Sequence, residues 1–179
     1  MLIQTMEISL LEISTSRLLL KPISMAYKED IFREFTAEIT TYLRSCPPES
    51  IYETKSFISE ALADILIGND VILVILKKDN KEFLGCTGIH ELNSRQPELG
   101  IWLKKSAHGN GYGLEAITGV KKWIEENLDY EYIVYPVDKA NMPSRRIPEK
   151  LGGKVFREWD ETNLSGKVLH LIEYRIPKS

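Results

Sequence analysis

The segment KKSAHGNGYGLEA, Lys104–Ala116, sets three glycines, Gly109, Gly111 and Gly113, at the mouth of a helix-like stretch. Glycine weakens a first helical turn, so its repetition there points to chemistry. The first N–H groups of a helix lack intrahelical partners and lie at the positive end of its dipole. Together they suit an anion such as a phosphate. Glycines let that anion reach the amides without meeting a Cβ. Lys104 and Lys105 add positive charge nearby. The plainer reading is a tight loop whose glycines serve turn geometry alone. GYGLEA, Gly111–Ala116, formally fits the dinucleotide pattern G-x-G-x-x-A, but that fingerprint needs parallel βαβ order. No G-K-[ST] follows, so the segment is not a P-loop.

Other reactive groupings are sparse. Cys86 and His90 lie four residues apart, roughly 13 Å along a strand, far beyond hydrogen-bond reach for a thiol–imidazole pair. Two cysteines and three scattered histidines give no metal-ligand spacing.

The surrounding elements follow from periodicity and punctuation. Arg17–Ile23 predicts a strand closed by Pro22, and Ser24 caps a polar helix to about Phe35. The prolines of CPPES, Cys46–Ser50, stop anything helical. Ser50 and Glu53 form a capping-box pattern ahead of Phe57, Ile58, Ala61, Leu62, Ile65 and Leu66 at helical spacing, and Gly68 ends that helix. Val71–Lys78, Phe83–Leu92 and Pro97–Lys105 predict three strands with short turns, hence an antiparallel meander. After the glycines, Leu114, Ile117, Val120, Ile124 and Leu128 make one apolar stripe, with lysines and glutamates on the other face. Tyr132–Val137 is a strand, a short helix runs to about Leu151, and a final strand pair follows. The order β α α β β β α β α β β predicts one α+β domain, residues 1–179, around a mixed sheet.

Composition narrows the class. The chain has 179 residues and a formal net charge of −3, which argues against nucleic acid as a direct partner. Cys46 and Cys86 form no disulfide framework, so a reducing compartment is expected. MLIQTMEISLLEI lacks the basic and uninterrupted apolar parts of a signal peptide, and no run reaches membrane-spanning length. A soluble cytoplasmic protein without a membrane partner is the expectation. No exposed stripe demands a dimer, and a homodimer stays open.

These segments carry a resemblance. The glycine segment is similar to the acyl-CoA pyrophosphate loop of the general N-acetyltransferase (GNAT) superfamily, written [QR]-x-x-G-x-[GA], with His108, Gly111 and Gly113 at its three positions. ELGIWLKKSAHGNGYGLEA resembles the RimJ/RimL branch, which acetylates protein N-termini. STSRLLLKPI, GCTGIHEL and DKANMPSRRIPEKLGG agree in order, so the resemblance spans most of Leu11–Arg175. The chain departs from it at His108, where Gln or Arg is usual. A neutral His carries no fixed charge, which implies weaker or pH-sensitive cofactor binding. Pro148 interrupts a helix that runs unbroken elsewhere and is expected to shorten or kink it. Gly153 replaces a common aromatic.

The resemblance implies a mixed α/β GNAT fold, its central sheet splayed between two parallel strands and flanked by helices. Pro136, which cannot donate to a ladder, then sits near the gap where acyl-CoA enters; a plain bulge or strand end is the alternative. It implies acetyl-CoA as acyl donor, no metal, and a primary amine as acceptor. Such a transfer needs a base for the amine, donors for the oxyanion and an acid for the thiolate. A protein N-terminus, with a pKa of about 8, is easier to deprotonate than an alkylammonium. Glu98 resembles the catalytic glutamate of some members; a solvated edge charge is the alternative. His90 is a second base or a substrate contact. Ser144 and Asn141 fit the N-x-x-S of the RimJ/RimL branch, the serine as acid to the thiolate, the asparagine as cofactor contact or helix cap with Pro143. The oxyanion donor is a backbone N–H of Ile101, Trp102 or Leu103. Gly109, Asn110 and Tyr112 complete the cofactor loop, although Trp102 and Tyr112 read first as packing residues. A protein or peptide N-terminus is the implied acceptor. The rivals are a polyamine, amino acid or aminoglycoside acceptor, a non-catalytic acyl-CoA binder, and a nicotinamide-dependent oxidoreductase.

Overall fold

Alternation along the strands sends apolar side chains to both faces of the sheet, so both faces must be covered. In the computed structural model, which describes residues 8–179, they are. Met1–Glu7, part of the segment read for targeting signals, lie outside the described residues. Eight strands form one sheet: β1 (Ile13–Ser14), β2 (Leu18–Pro22), β3 (Val71–Lys77), β4 (Phe83–His90), β5 (Glu98–Leu103), β6 (Tyr132–Asp138), β7 (Lys154–Thr162) and β8 (Val168–Pro177). Their order is β1-β2-β3-β4-β5-β6-β8-β7. All neighbours are antiparallel except β5 and β6. Four helices join them: α1 (Lys28–Glu34), α2 (Ile51–Ile67), α3 (Tyr112–Asn127) and α4 (Met142–Lys150). The expected order is found, with two-residue β1 added. Among the described residues no helix is long and apolar enough to cross a membrane.

Two cores follow from the alternation. Val71, Leu73 and Ile75 of β3 join the larger core with Ile117, Val120 and Ile124 of α3 and Ile147 of α4. Val74 and Leu76 join the smaller one with Ile31 of α1 and Ile58 and Ala61 of α2. In β4 the pattern reverses. Ile75 faces Gly85 and Leu76 faces Phe83, so Leu84 is an extra residue. This bulge turns Leu84 to the larger core while Phe83 and Cys86 share the smaller. Gly85 permits it, because a Cβ there would lie 2.1 Å from the Trp102 carbonyl oxygen.

Several local expectations change. Ser24 caps a short 3₁₀ turn, Met25–Tyr27, and α1 begins only at Lys28. Ser50 precedes α2 without a side-chain cap; Glu53 instead accepts the Glu49 N–H at 2.6 Å, so the reciprocal capping box is not formed. Gly68 ends α2 in a left-handed conformation as expected. Lys121, on the face read as charged and solvated, is buried and paired with Glu125 and the Ser179 hydroxyl. Pro148 falls in the last turn of α4, and the helix stops two residues later. Two of the three departures from the resemblance, Pro148 and Gly153, are one feature: the Gly153 N–H donates to the Pro148 carbonyl at 2.7 Å, and a Cβ on Gly153 would lie 2.7 Å from that oxygen.

The segment between α1 and α2 is pinned from across the sheet. The β7–β8 turn supplies Asn163 Nδ2 to the Leu43 carbonyl, the Leu164 N–H to the Arg44 carbonyl, and Lys167 Nζ to the Thr41 carbonyl. Gly85→Ala is expected to destabilise the protein by about 3 kcal/mol, the upper range for a forced overpacking, because backbone rather than a mobile side chain must yield. Urea denaturation measures it, and the Trp102 side chain should lose its ordered fluorescence environment in parallel.

Candidate active site

The parallel pair parts almost as soon as it forms. β5 and β6 share one register pair, Glu98 with Val134. Upstream, the Val134 N–H donates to the Pro97 carbonyl at 2.9 Å and the Glu131 N–H to Arg95 at 2.7 Å. Since Val134 directs its N–H toward β5, position 136 points the same way, and the donor that Pro136 lacks is one that would face the gap. The β6–β8 ladder runs through Pro136 from Tyr132 to Asp138 without a shift, so the bulge reading fails. On β5, the Lys104 N–H reaches the Leu84 carbonyl. By alternation the Trp102 N–H also belongs to the β4 ladder, and those of Ile101 and Leu103 turn to the gap.

A cavity of about 510 Å³ opens at this parting. His90, Glu98, Ile101, Trp102, Asn141 and Ser144 all line it. Leu103 and the loop residues His108, Gly109, Asn110, Gly111, Tyr112 and Gly113 do not. Its floor is a cross-strand pair of glycines, Gly88 and Gly100. A Cβ on Gly88 would lie 2.6 Å from His90 Nε2, so the missing side chain makes room for the imidazole.

Glu98 and His90 are direct cross-strand partners and therefore share a face. Trp102, two alternations along, packs on the smaller core, which fixes that face as the one under α1 and α2. Burial pushes the Glu98 carboxyl above the usual carboxylate range; Arg44, whose Nη1 lies 4.0 Å away, and His90 pull it down, and Glu91 and Glu173 push it up again. Arg44 is held by Glu161 at 2.7 Å. His90 Nδ1 lies 3.4 Å from Asp70. Burial also pushes the Cys86 thiol far up, so it stays a neutral wall residue.

The opposite face carries the hydroxyls. Tyr135, 2% exposed, joins the larger core, and its OH lies 2.7 Å from Ser144 Oγ in the first turn of α4. Burial raises the Tyr135 phenol to about 12, while the Ser144 contact lowers it. Tyr135 thus keeps its proton at neutral pH. Asn141 stands at the N-cap of α4 but caps through its carbonyl, which accepts the Arg145 N–H, not through its side chain. The parting of the strands is what connects the two faces.

The glycine loop lies beyond, where β5 feeds α3. Gly109 and Gly111 have φ of 78°, a region that favours glycine, and a Cβ on Gly109 would meet nothing within 4 Å. Gly113 differs: its Cβ would press on Ile147 Cδ1 at 3.1 Å, so packing of α3 on α4 explains it. Lys104 and Lys105 turn to Glu82 and Glu38 rather than to the loop. Arg17 is the cation there instead. It stacks over the Tyr112 ring at 4.5 Å, and its Nε donates to Glu115 at 2.7 Å. Thr15 and the Arg17 N–H also donate to Glu115. His108 folds back, and its Nε2–H donates to the Leu103 carbonyl at 2.8 Å. The sequence reading passed over Arg17, Arg44, Tyr135 and the glycine pair. An acidic residue in the first turn of α3, where no phosphate could tolerate it unpaired, was the available signal for Arg17.

The family described as "Acetyltransferase (GNAT) domain" matches residues 17–154. Among solved structures, the chain is similar to RimL, a ribosomal L7/L12 α-N-protein acetyltransferase in complex with coenzyme A, at 14% identity and a TM-score of 0.83, covering 93% of this chain and 98% of that one. It is similar to a GNAT-family acetyltransferase from Bacillus anthracis at 16% identity and 0.79, over 93% and 98%. It is also similar to the microcin C7 self-immunity acetyltransferase MccE in complex with acetyl-CoA and AMP, at 16% and 0.81, over 91% and 93%. No curated protein sequence matches. Among the described residues no group of three or more His, Cys, Asp or Glu side chains could hold a metal ion.

The electrostatics of Glu98 give a direct check. Carbon-detected NMR of the Glu98 carboxyl should report a pKa above the free value, and Arg44→Ala should raise it further, since the main opposing charge is gone. A drop in the variant would contradict the balance described.

Proposed function

Because the chain belongs to the GNAT acetyltransferase family, we propose that it transfers an acetyl group from acetyl-CoA to a primary amine at the N-terminus of a protein or peptide. The observation that carries this reading is the parting of β5 and β6 after Glu98 and Val134. It joins a face bearing a raised carboxyl to a face bearing a hydroxyl pair, through one cavity. RimL, which acts on a ribosomal protein as an α-N-protein acetyltransferase, supports the choice of acceptor.

The loop and the gap fit the donor. The left-handed Gly109 and Gly111 leave open space above the first amides of α3, and Arg17 lies beside them. These groups would hold the pyrophosphate, with His108, Asn110, Tyr112 and Gly113 around it. Arg17 supplies the fixed positive charge that His108 does not. Acetyl-CoA contributes the thioester.

This chain's residues then divide the work. Glu98 takes a proton from the acceptor ammonium. A raised carboxyl suits that role, since its basicity lies nearer neutral pH. The amine nitrogen forms its bond to the thioester carbon, and the N–H of Ile101, the gap-facing amide whose residue lines the cavity, donates to the oxygen that gains charge. The carbon–sulfur bond breaks, Ser144 gives its proton to the departing sulfur, and the second proton shed by the acylated nitrogen restores the Ser144 hydroxyl. Tyr135, a donor that keeps its own proton, bonds Ser144 Oγ and leaves the serine hydrogen free to point at sulfur. Asn141 borders this face of the cavity, and His90 positions Glu98 from the neighbouring strand. No covalent enzyme intermediate is required.

Thermal-shift measurements with acetyl-CoA, CoA and NAD test the donor; stabilisation by NAD alone would overturn the reading. Glu98→Gln should lower kcat/KM by about 10²–10⁴-fold and erase the acidic limb of its pH profile. That limb reflects loss of the ionised base as pH falls, and the raised carboxyl moves it toward neutrality. Tyr135→Phe should lower kcat by about tenfold with KM for acetyl-CoA unchanged. An equal loss through KM would assign Tyr135 to packing.

A further inference from the structure

We propose that the acceptor presents a large apolar side chain beside its reacting amine, an N-terminal residue of the Phe, Leu or Met class. This rests on the acetyl-transfer reading above and names the substrate class of that site. The argument begins at the cavity floor. Glu98, Gly100 and Trp102 share one face of β5, and Gly88 lies directly across from Gly100 on β4. The His90 imidazole and the Ile72 side chain lie over Gly88, so the strip between Glu98 and Trp102 is open over Gly100 alone. A Cβ on Gly100 would meet nothing within 4 Å. An amine held at Glu98 sits about 7 Å along the strand from Gly100 and about 13 Å from Trp102, and the open space over Gly100 gives its substituent room in the direction of the tryptophan.

The wall it reaches is apolar and aromatic. Ile31 and Phe35 of α1, Phe57 of α2 and Trp102 line this side, with the Phe35 and Trp102 rings 4.8 Å apart. Filling that wall removes apolar surface from water, which a seryl or glycyl terminus cannot do.

The test uses the full chain, acetyl-CoA and thiol release, with peptides identical except for a first residue of Phe, Leu, Met, Ala, Ser or Lys, beside spermidine and an aminoglycoside. The expected result is a kcat/KM at least tenfold higher for the Phe, Leu and Met peptides than for Ala or Ser. Gly100→Val, at a position with ordinary backbone and open space above it, should cut the rate for the large residues at least tenfold more than for Ala, with unchanged CoA affinity. Peptides acetylated without preference, or faster with Ser or Ala, would overturn this inference and leave the N-terminal reading standing. Turnover of spermidine or the aminoglycoside but of no peptide would overturn both. A Gly100→Val variant that slows all peptides equally would remove the side-chain pocket from that floor.

Discussion

A sheet interior does not tolerate unpaired backbone donors and acceptors, and the rest of this structure depends on how the chain meets that constraint where β5 and β6 separate. After Glu98 and Val134 the two strands share no further ladder. On one side proline removes a donor from the open edge at position 136 while leaving the β6–β8 ladder whole. At the other, His108 closes over the Leu103 carbonyl. The amides of Ile101 and Leu103 turn to the gap, and Ile101 lines the cavity that can bring an acceptor oxygen.

Around that opening, charge and burial are arranged in opposite ways on the two faces. Under α1 and α2, burial raises the proton affinity of a carboxyl, and Arg44 and His90 oppose that rise. On the face of α4, a buried phenol is held protonated beside a serine. Groups with proton affinities pushed apart by their surroundings, on either side of one passage, are what proton removal at one end and proton return at the other require.

Much of this was legible from local patterns. Apolar alternation gave the strands and the helical stripe gave α3, because those signals depend on neighbours in sequence. The three glycines differ as individuals. Gly109 and Gly111 need their positive φ, whereas Gly113 is small because Ile147 presses on it. That contact, like the pairing of Arg17 with Glu115 and of Arg44 with Glu161, joins residues far apart in the chain. No spacing rule reports them. The bulge at Leu84 was equally hidden, since a single extra residue swaps faces without changing composition. Pro136 was the opposite case, a residue whose type announced an unpaired edge before any partner was known.

The central claim is that the donor lies on the glycine loop and reaches its thioester into the gap beside Ile101 and Leu103. Amide NMR during titration with acetyl-CoA tests this most directly. The account predicts that the N–H resonances of Gly109, Gly111 and Gly113 move together with those of Ile101 and Leu103, while Trp102, committed to the β4 ladder, moves little. Saturable shifts confined to other surfaces, with these amides unmoved, would contradict it.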